Sequence, residues 1–261
     1  MYEKSLAYLK ADPFKHLATL KHLTLYQDKL ALNLVDESPQ GDYPNWAVLA
    51  TIPTGLLSYD TATYPEAKVT LFLNGTAESL KQQLLDTLPP NNYVLKLNEA
   101  LDWSGLENRF RTKAGNSFLS FSGSTCPDIA TNSLIPGCAH ITDEAIALFQ
   151  RNGYTAADIR KYFDRGAVWF SLAIDGTIRS GCFIYPNYGP IWEIAGVHTL
   201  EADRNKGYGR IVVTSALTYL LRRNLVPRYE VDVRNTNSIK LAQSLGMKEF
   251  LRLNHFLLSP L

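Results

Sequence analysis

The sequence predicts a mixed α/β (α+β) protein in two halves, and three observations predict it. Helical and strand-like hydrophobic periods alternate along the whole chain. Asp175-Gly176 separates two apolar runs, AVWFSLAI and TIRSGCFIY, as a tight hairpin does, so part of the sheet is antiparallel. Between about 111 and 140 the composition turns to Gly, Ser, Thr, Asn and Pro, which marks a boundary. The expected division is residues 1–125, an N-terminal α/β companion domain, and 126–261, a second α/β domain that carries the chemistry.

Bulk properties narrow the function. Of 261 residues, 46% are hydrophobic and 20% charged, as in globular proteins generally. Lys plus Arg (26) balances Asp plus Glu (25), so overall charge gives no case for a nucleic-acid partner or an anionic membrane. No apolar run approaches the ~18 residues of a membrane span. The N-terminal MYEKSLAYLKADPFKHL is amphipathic and lacks the apolar core of a secretory signal. Cys126, Cys138 and Cys182 form neither a CxxC pair nor an even disulfide set. A reducing, cytoplasmic setting is expected, with the sequon at Asn74-Gly75-Thr76 serving as a turn. His16, His22, His140, His198 and His255 show no metal-ligand spacing, and no metal is expected.

Element by element, a helix is predicted over 13–25, where Phe14, Leu17, Leu20 and Leu23 recur on one face. Strands follow at 29–35, 46–52 and 68–73. Thr76 is expected to cap a helix that stops by Pro89-Pro90, and further strands are expected at 92–97 and 116–122. In the second half, Thr142 and Thr155 open two helices, ended by Gly153 and Gly166. The hairpin comes next, then IWEIAGVHT as a third strand and a helix over 207–223. RYEVDV, a helix over 237–245 and a closing strand EFLRLNHFLL are read as completing that half.

The informative stretch is VHTLEADRNKGYGR, Val197 to Arg210. It places Arg204, Asn205, Lys206, Gly207, Tyr208 and Gly209 between a strand and a helix. Unpaired amides and the positive end of the helix dipole then point at one spot, which suits a pyrophosphate. Two glycines let the backbone approach the anion, and Arg204, Lys206 and Arg210 add charge. A dinucleotide fingerprint would need a third glycine where Val212 stands. A P-loop would need Lys-Ser/Thr where Gly209 is followed by Arg210-Ile211.

Arg-x-x-Gly-x-Gly after a strand and opening a helix resembles the acyl-CoA loop of the GNAT superfamily of N-acyltransferases. The resemblance spans about 140–258: the hairpin, IWEIAGVHT, the helix, YEVDV, then NTNSIKLAQSLGMKEF with Asn235, Ser238, Leu241, Leu245 and Gly246 in matching places. It implies a GNAT-like mixed, largely antiparallel sheet flanked by helices. The N-terminal half resembles the degenerate acyltransferase-like domain of glycine N-acyltransferase-like members. The implied function is direct transfer of an acetyl or other short acyl group from acyl-CoA, the only co-substrate expected, to a primary amine of a small molecule. Two alternatives stand beside it: a catalytically weak acyl-CoA-binding sensor, and a protein amine acetyltransferase.

The resemblance makes Glu193, fourteen residues before Gly207, the general base. Its apolar neighbours Trp192, Ile194 and Ala195 agree, since desolvation raises a carboxyl pKa toward working pH. The alternative is a carboxylate at a strand end, solvated or paired with an arginine. Val197, His198 and Thr199 fall where the family binds pantetheine and the thioester carbonyl with strand amides. Many relatives place a proton-donating tyrosine where this chain has Ala242. Ser238 is a candidate substitute, and Asn235 is expected on the pantetheine arm. Tyr185, Tyr188 and Trp192 are expected to line the acceptor pocket. Cys182 lacks a His/Asp arrangement and reads as a structural thiol.

Overall fold

A computed structural model describes residues 2–37, 44–125 and 134–261. The chain divides into two compact units, Met1–Phe118 with Leu251–Leu261, and Leu119–Phe250. The expected division at 125/126 follows composition, whereas these units follow the packing of the strands. Cys126 lies outside the described residues.

In the first unit, helices α1 (Tyr2–Ala11) and α2 (Leu17–Leu25) precede strands β1 (Ala31–Asp36), β2 (Trp46–Pro53), β3 (Val69–Gly75) and β4 (Tyr93–Leu97). Helix α3 (Ser58–Thr63) links β2 to β3, and α4 (Glu78–Asp86) links β3 to β4. β1/β2 and β2/β3 are antiparallel, and β3/β4 is parallel. Leu80, Leu84 and Leu85 of α4 pack on Leu49, Leu71 and Leu95 of the sheet. Thr76 does not cap α4: its hydroxyl accepts from the Trp46 amide, and Ala77 occupies the N-cap position. Asn74 is not a turn residue. It is buried within β3, where its side chain bonds Thr19 and His16.

The closing strand corrects the expectation most clearly. β10 (Lys248–Pro260) pairs antiparallel with β4, His255 opposite Lys96, so residues 251–261 belong to the first unit. Its apolar residues find their partners there; Leu258, for example, joins Leu95 and Leu97. β5 runs over Phe110–Ser122 rather than 116–122, and residues 110–118 lie in the first unit.

The second unit holds α5 (Asp143–Gln150), α6 (Ala156–Asp164), β6 (Val168–Ile174), β7 (Thr177–Tyr188) and β8 (Ile191–Thr199). It continues with α7 (Tyr208–Leu221), β9 (Val226–Asp232) and α8 (Thr236–Ser244). Thr142 and Thr155 cap α5 and α6 as expected, accepting from the amides of Ala145 and Asp158. Asp175 and Gly176 both take positive φ, which a tight hairpin turn requires. β6/β7 and β7/β8 are antiparallel, and β8/β9 is parallel. One face of this sheet, with Phe183, Tyr185 and Ala195, packs on α5 and α6. The other, with Cys182, Ile184, Ile194 and Tyr229, packs on α7 and on Ala242 and Leu245. Cys182 is buried and its Sγ–H donates to the Val212 carbonyl at 3.4 Å, so its environment is structural. Among the described residues, no helix is long and apolar enough to cross a membrane, and no cluster of three His, Cys, Asp or Glu could hold a metal.

His255 lies in the first unit against Tyr64 and Phe118, with Nδ1 3.1 Å from the Tyr64 hydroxyl. Burial, helped by the nearby Lys96 charge, pushes its pKa down to about 2. The unfolded chain takes up this proton near the ordinary value of about 6.5, whereas the fold resists it until far lower pH. Stability contributed by the neutral ring is therefore complete above that value and falls as pH drops, by roughly 1 kcal/mol per pH unit. Urea melts at pH 7 and pH 5 check this: the midpoint falls with acidification, and a His255→Gln variant loses less.

Candidate active site

The site begins where two parallel strands stop pairing. β8 and β9 align as Glu193↔Arg228 and Ile194↔Tyr229, and their ladder ends there, although both strands continue. Gly196 accounts for the change. Its φ is 62°, inside a strand, and the β7/β8 register shifts beside it. A Cβ at Gly196 would fall 2.4 Å from Cε1 of Phe183, so only glycine fits. Val197, His198 and Thr199 are half-buried; Val197 lies in the bulge, His198 and Thr199 pair with β7, and among the described residues none of the three has a strand partner on the other edge.

Asn152, from the α5/α6 connection, fixes that edge: its Nδ2 donates to the Val197 carbonyl, and its Oδ1 lies 2.8 Å from His198 Nδ1. Burial, with Arg204 and Arg151 nearby, lowers the His198 pKa, so the ring is neutral near pH 7. Ser180 holds the His198 carbonyl and the Thr199 hydroxyl.

The strand then runs through a short 3-10 turn at Glu201–Asp203 into the basic loop. Asn205 (φ 65°) and Gly207 (φ 81°) take left-handed conformations, turning the chain into α7. Gly207 occupies the N-cap and has no side chain to offer, so the amides of Tyr208, Gly209 and Arg210 have no capping acceptor. At Gly209 a Cβ would meet only Thr199 Oγ1 at 3.5 Å and Leu241 Cδ2 at 3.9 Å, ordinary contacts, so packing alone does not demand glycine there. Lys206 pairs with Asp203 at 2.8 Å, Arg210 donates to Ser244, and Arg204 is exposed at the loop.

Glu193 is 3% exposed. Its Oε2 accepts from Asn187 Nδ2 at 2.9 Å and Arg228 Nη1 at 2.5 Å, and its Oε1 accepts from the Glu230 amide at 3.0 Å. The structure thus places it as a buried, arginine-paired carboxylate. Burial alone would depress the Arg228 pKa, but Glu193 and Glu230 together hold it above its ordinary value. Arg228 also donates to Ser120 Oγ and, through Nη2, to Glu230 Oε2. Removing one partner of such a pair strands the other in a low-dielectric site, which costs about 3–5 kcal/mol.

Tyr185 lies opposite Glu193 on the same face, its ring 4.2 Å from that of Tyr162. Burial and the neighbouring Tyr162 and Glu193 groups push the Tyr185 and Tyr154 phenols up. The Gly196 amide opposes the Tyr154 shift. Trp192 is on the other face with the α7 core, so it does not join Tyr185; Tyr188 is half-buried at the end of β7. Asn235 caps α8, its Oδ1 accepting from the Ser238 amide. Burial pushes the Tyr229 phenol up to about 12, and a hydrogen bond from Ser238 opposes the shift. Sequence reading passed over Asn152, Asn187, Arg228, Tyr229 and Glu230. Arg228 and Glu230 did leave a signal, since i and i+2 on a strand share a face.

An antiparallel hairpin, a strand ending in a bulge, a parted parallel neighbour and a basic loop at an uncapped helix come together in this unit. Residues 156–251 match the GNAT acetyltransferase family model. That match covers only part of the chain and, apart from Leu251, falls within the second unit. No curated protein matches the chain by sequence. The fold is shared with a GNAT-family acetyltransferase from Colwellia psychrerythraea, 10% identical over 91% of this chain and 88% of that one, with a TM-score of 0.56. A GCN5-related N-acetyltransferase from Kribbella flavida is 12% identical over 93% and 94%, TM-score 0.54. A tandem GNAT protein from the clavulanic acid biosynthesis pathway is 13% identical over 94% and 87%, TM-score 0.51.

If Gly196 shapes the parting of β8 and β9, Gly196→Ala must strain the backbone and displace Phe183. The expected loss is at least about 2 kcal/mol, read as a lowered urea midpoint. An unchanged midpoint would show that the bulge tolerates a side chain.

Proposed function

We propose that the second unit transfers an acetyl or other short acyl group directly from acyl-CoA to a primary amine of a small molecule. The observation that carries this reading is the unpaired β8 edge, Val197 to Thr199, leading into the uncapped N-terminus of α7. That edge offers amides to an extended pantetheine arm and to the thioester carbonyl, and the helix end offers amides to the pyrophosphate. Arg204, Lys206 and Arg210 add positive charge around the loop, while Asn205 and Gly207 set its turn. Asn235 commits its Oδ1 to α8 and keeps its side-chain N–H groups for the arm.

On the acceptor side, Glu193, Arg228 and Glu230 bring two negative charges and one positive, a net negative field that favours an ammonium over a neutral or acidic acceptor. Tyr185 borders this cluster; Tyr188 and Trp192 take the outer positions of the same hairpin. In place of the tyrosine that Ala242 replaces, Ser238 on α8 and Tyr229 on the neighbouring strand hold the O–H groups on the side of the departing thiolate. Cys182, buried against Val212, offers no nucleophile, which supports direct transfer.

Free-thiol release from acetyl-CoA over amino acids, polyamines, aminoglycosides and short peptides tests the reading. Turnover with one class of amine is expected. Gly209→Ala, whose Cβ meets only ordinary contacts in the fold, should raise the KM for acetyl-CoA about tenfold or more, equivalent to roughly 1.4 kcal/mol, with little change in melting temperature. No thiol release with any amine would overturn the proposal.

A further inference from the structure

Glu193, the carboxylate that the resemblance marks as base, is saturated. Three donors hold its two oxygens, and 3% of the residue is exposed. Moving a proton onto it would break a contact with Arg228, Asn187 or the Glu230 amide. A second carboxylate stands one step further along the neighbouring strand. Glu230 follows Tyr229, the last residue of the β8/β9 ladder, so it sits at the mouth of the parted strands. Its side chain lies on the same face as Glu193, joined to it through Arg228. That side chain is 31% exposed. Arg228 engages Oε2, and among the described residues Oε1 has no hydrogen-bond partner.

We infer that Glu230, and not Glu193, is the group that takes the proton from the acceptor ammonium, while Glu193 and Arg228 are positioning residues that hold it at the mouth of the strands. This rests on the acyl-transfer reading above. Glu193 neutralises Arg228, and its Oε1 grips the Glu230 backbone, so the excess negative charge of the cluster falls on the accessible carboxylate. The ordering is electrostatic as well as geometric. One arginine cannot neutralise two carboxylates, and the pair buried together is the one that compensates. The groups facing Glu230 are therefore Arg228 and, through it, Glu193; the Tyr154 and Tyr185 phenols also feel its charge.

The step balances as follows. An ammonium proton passes to Glu230 Oε1, and the freed nitrogen lone pair forms a C–N bond to the thioester carbonyl carbon. The C–S bond breaks, with its electron pair leaving on sulfur. The second nitrogen proton ends on that sulfur as the thiol, and Glu230 returns its proton to water.

The test uses the full chain, acetyl-CoA and the amine with the highest turnover in the panel above. Glu230→Gln is expected to lower kcat/KM for the amine about a hundredfold or more, with the KM for acetyl-CoA within about twofold. The residual rate should rise tenfold per pH unit through neutrality, because only amine already deprotonated in solution then reacts. Glu230→Ala should regain rate in proportion to added formate, which a purely structural role would not allow. Glu230→Gln with wild-type rate and pH profile would overturn the assignment, as would Glu230→Ala that formate does not rescue. If Glu230→Gln misfolds, judged by melting temperature, Glu230→Asp and the formate series decide in its place. Wild type inert toward every amine would instead sink the acyl-transfer reading itself, and this assignment with it.

Discussion

The second unit is organised by one constraint: two parallel strands that must stay together at Glu193 and Arg228 and must separate immediately beyond Ile194 and Tyr229. The buried ion pair fastens the strands on one side of that point. Gly196, in a left-handed conformation with no room for a Cβ against Phe183, bends β8 on the other side. A mid-sheet strand would ordinarily have both edges paired, because unpaired backbone amides away from water are costly. Here the exposed edge is kept, and the loop that follows turns it toward the amides of α7. A strand edge that, among the described residues, has no strand partner is a ready-made binding surface.

The same point separates two chemistries. On the α7 and α8 face are the amide-rich loop, the Asn235 cap and the Tyr229–Ser238 hydroxyls, suited to an anionic, extended co-substrate. On the α5 and α6 face are the tyrosines and the carboxylate–arginine–carboxylate cluster, suited to a cation. Strand alternation produces this division without further design, since Tyr229 points one way and Arg228 and Glu230 the other. The parted strands are where the two faces communicate, which is where the proposed acyl transfer requires them to.

Much of this was legible in the sequence, and what was not has physical reasons. The Thr142 and Thr155 caps, the Asp175-Gly176 turn and the glycine loop depend on chemistry within a few residues, and local chemistry is what a sequence displays. Glu193 was legible as a residue but not as an environment, because its partner sits 35 positions away and meets it only through parallel pairing. Gly196 reads as one more small strand residue until its φ is known. The closing strand was misassigned because an apolar strand looks alike wherever it pairs; only the register of His255 with Lys96 returns it to the first unit. Thr76 had the right residue type for a cap, yet the Trp46 amide claimed its hydroxyl first.

Backbone hydrogen exchange with and without acetyl-CoA tests the central claim most directly. The account predicts slowed exchange in two separate segments, Val197–Thr199 and Tyr208–Arg210, because the co-substrate supplies the partners that β9 and an N-cap side chain do not. Protection confined to other segments, or none at saturating acetyl-CoA, would contradict it.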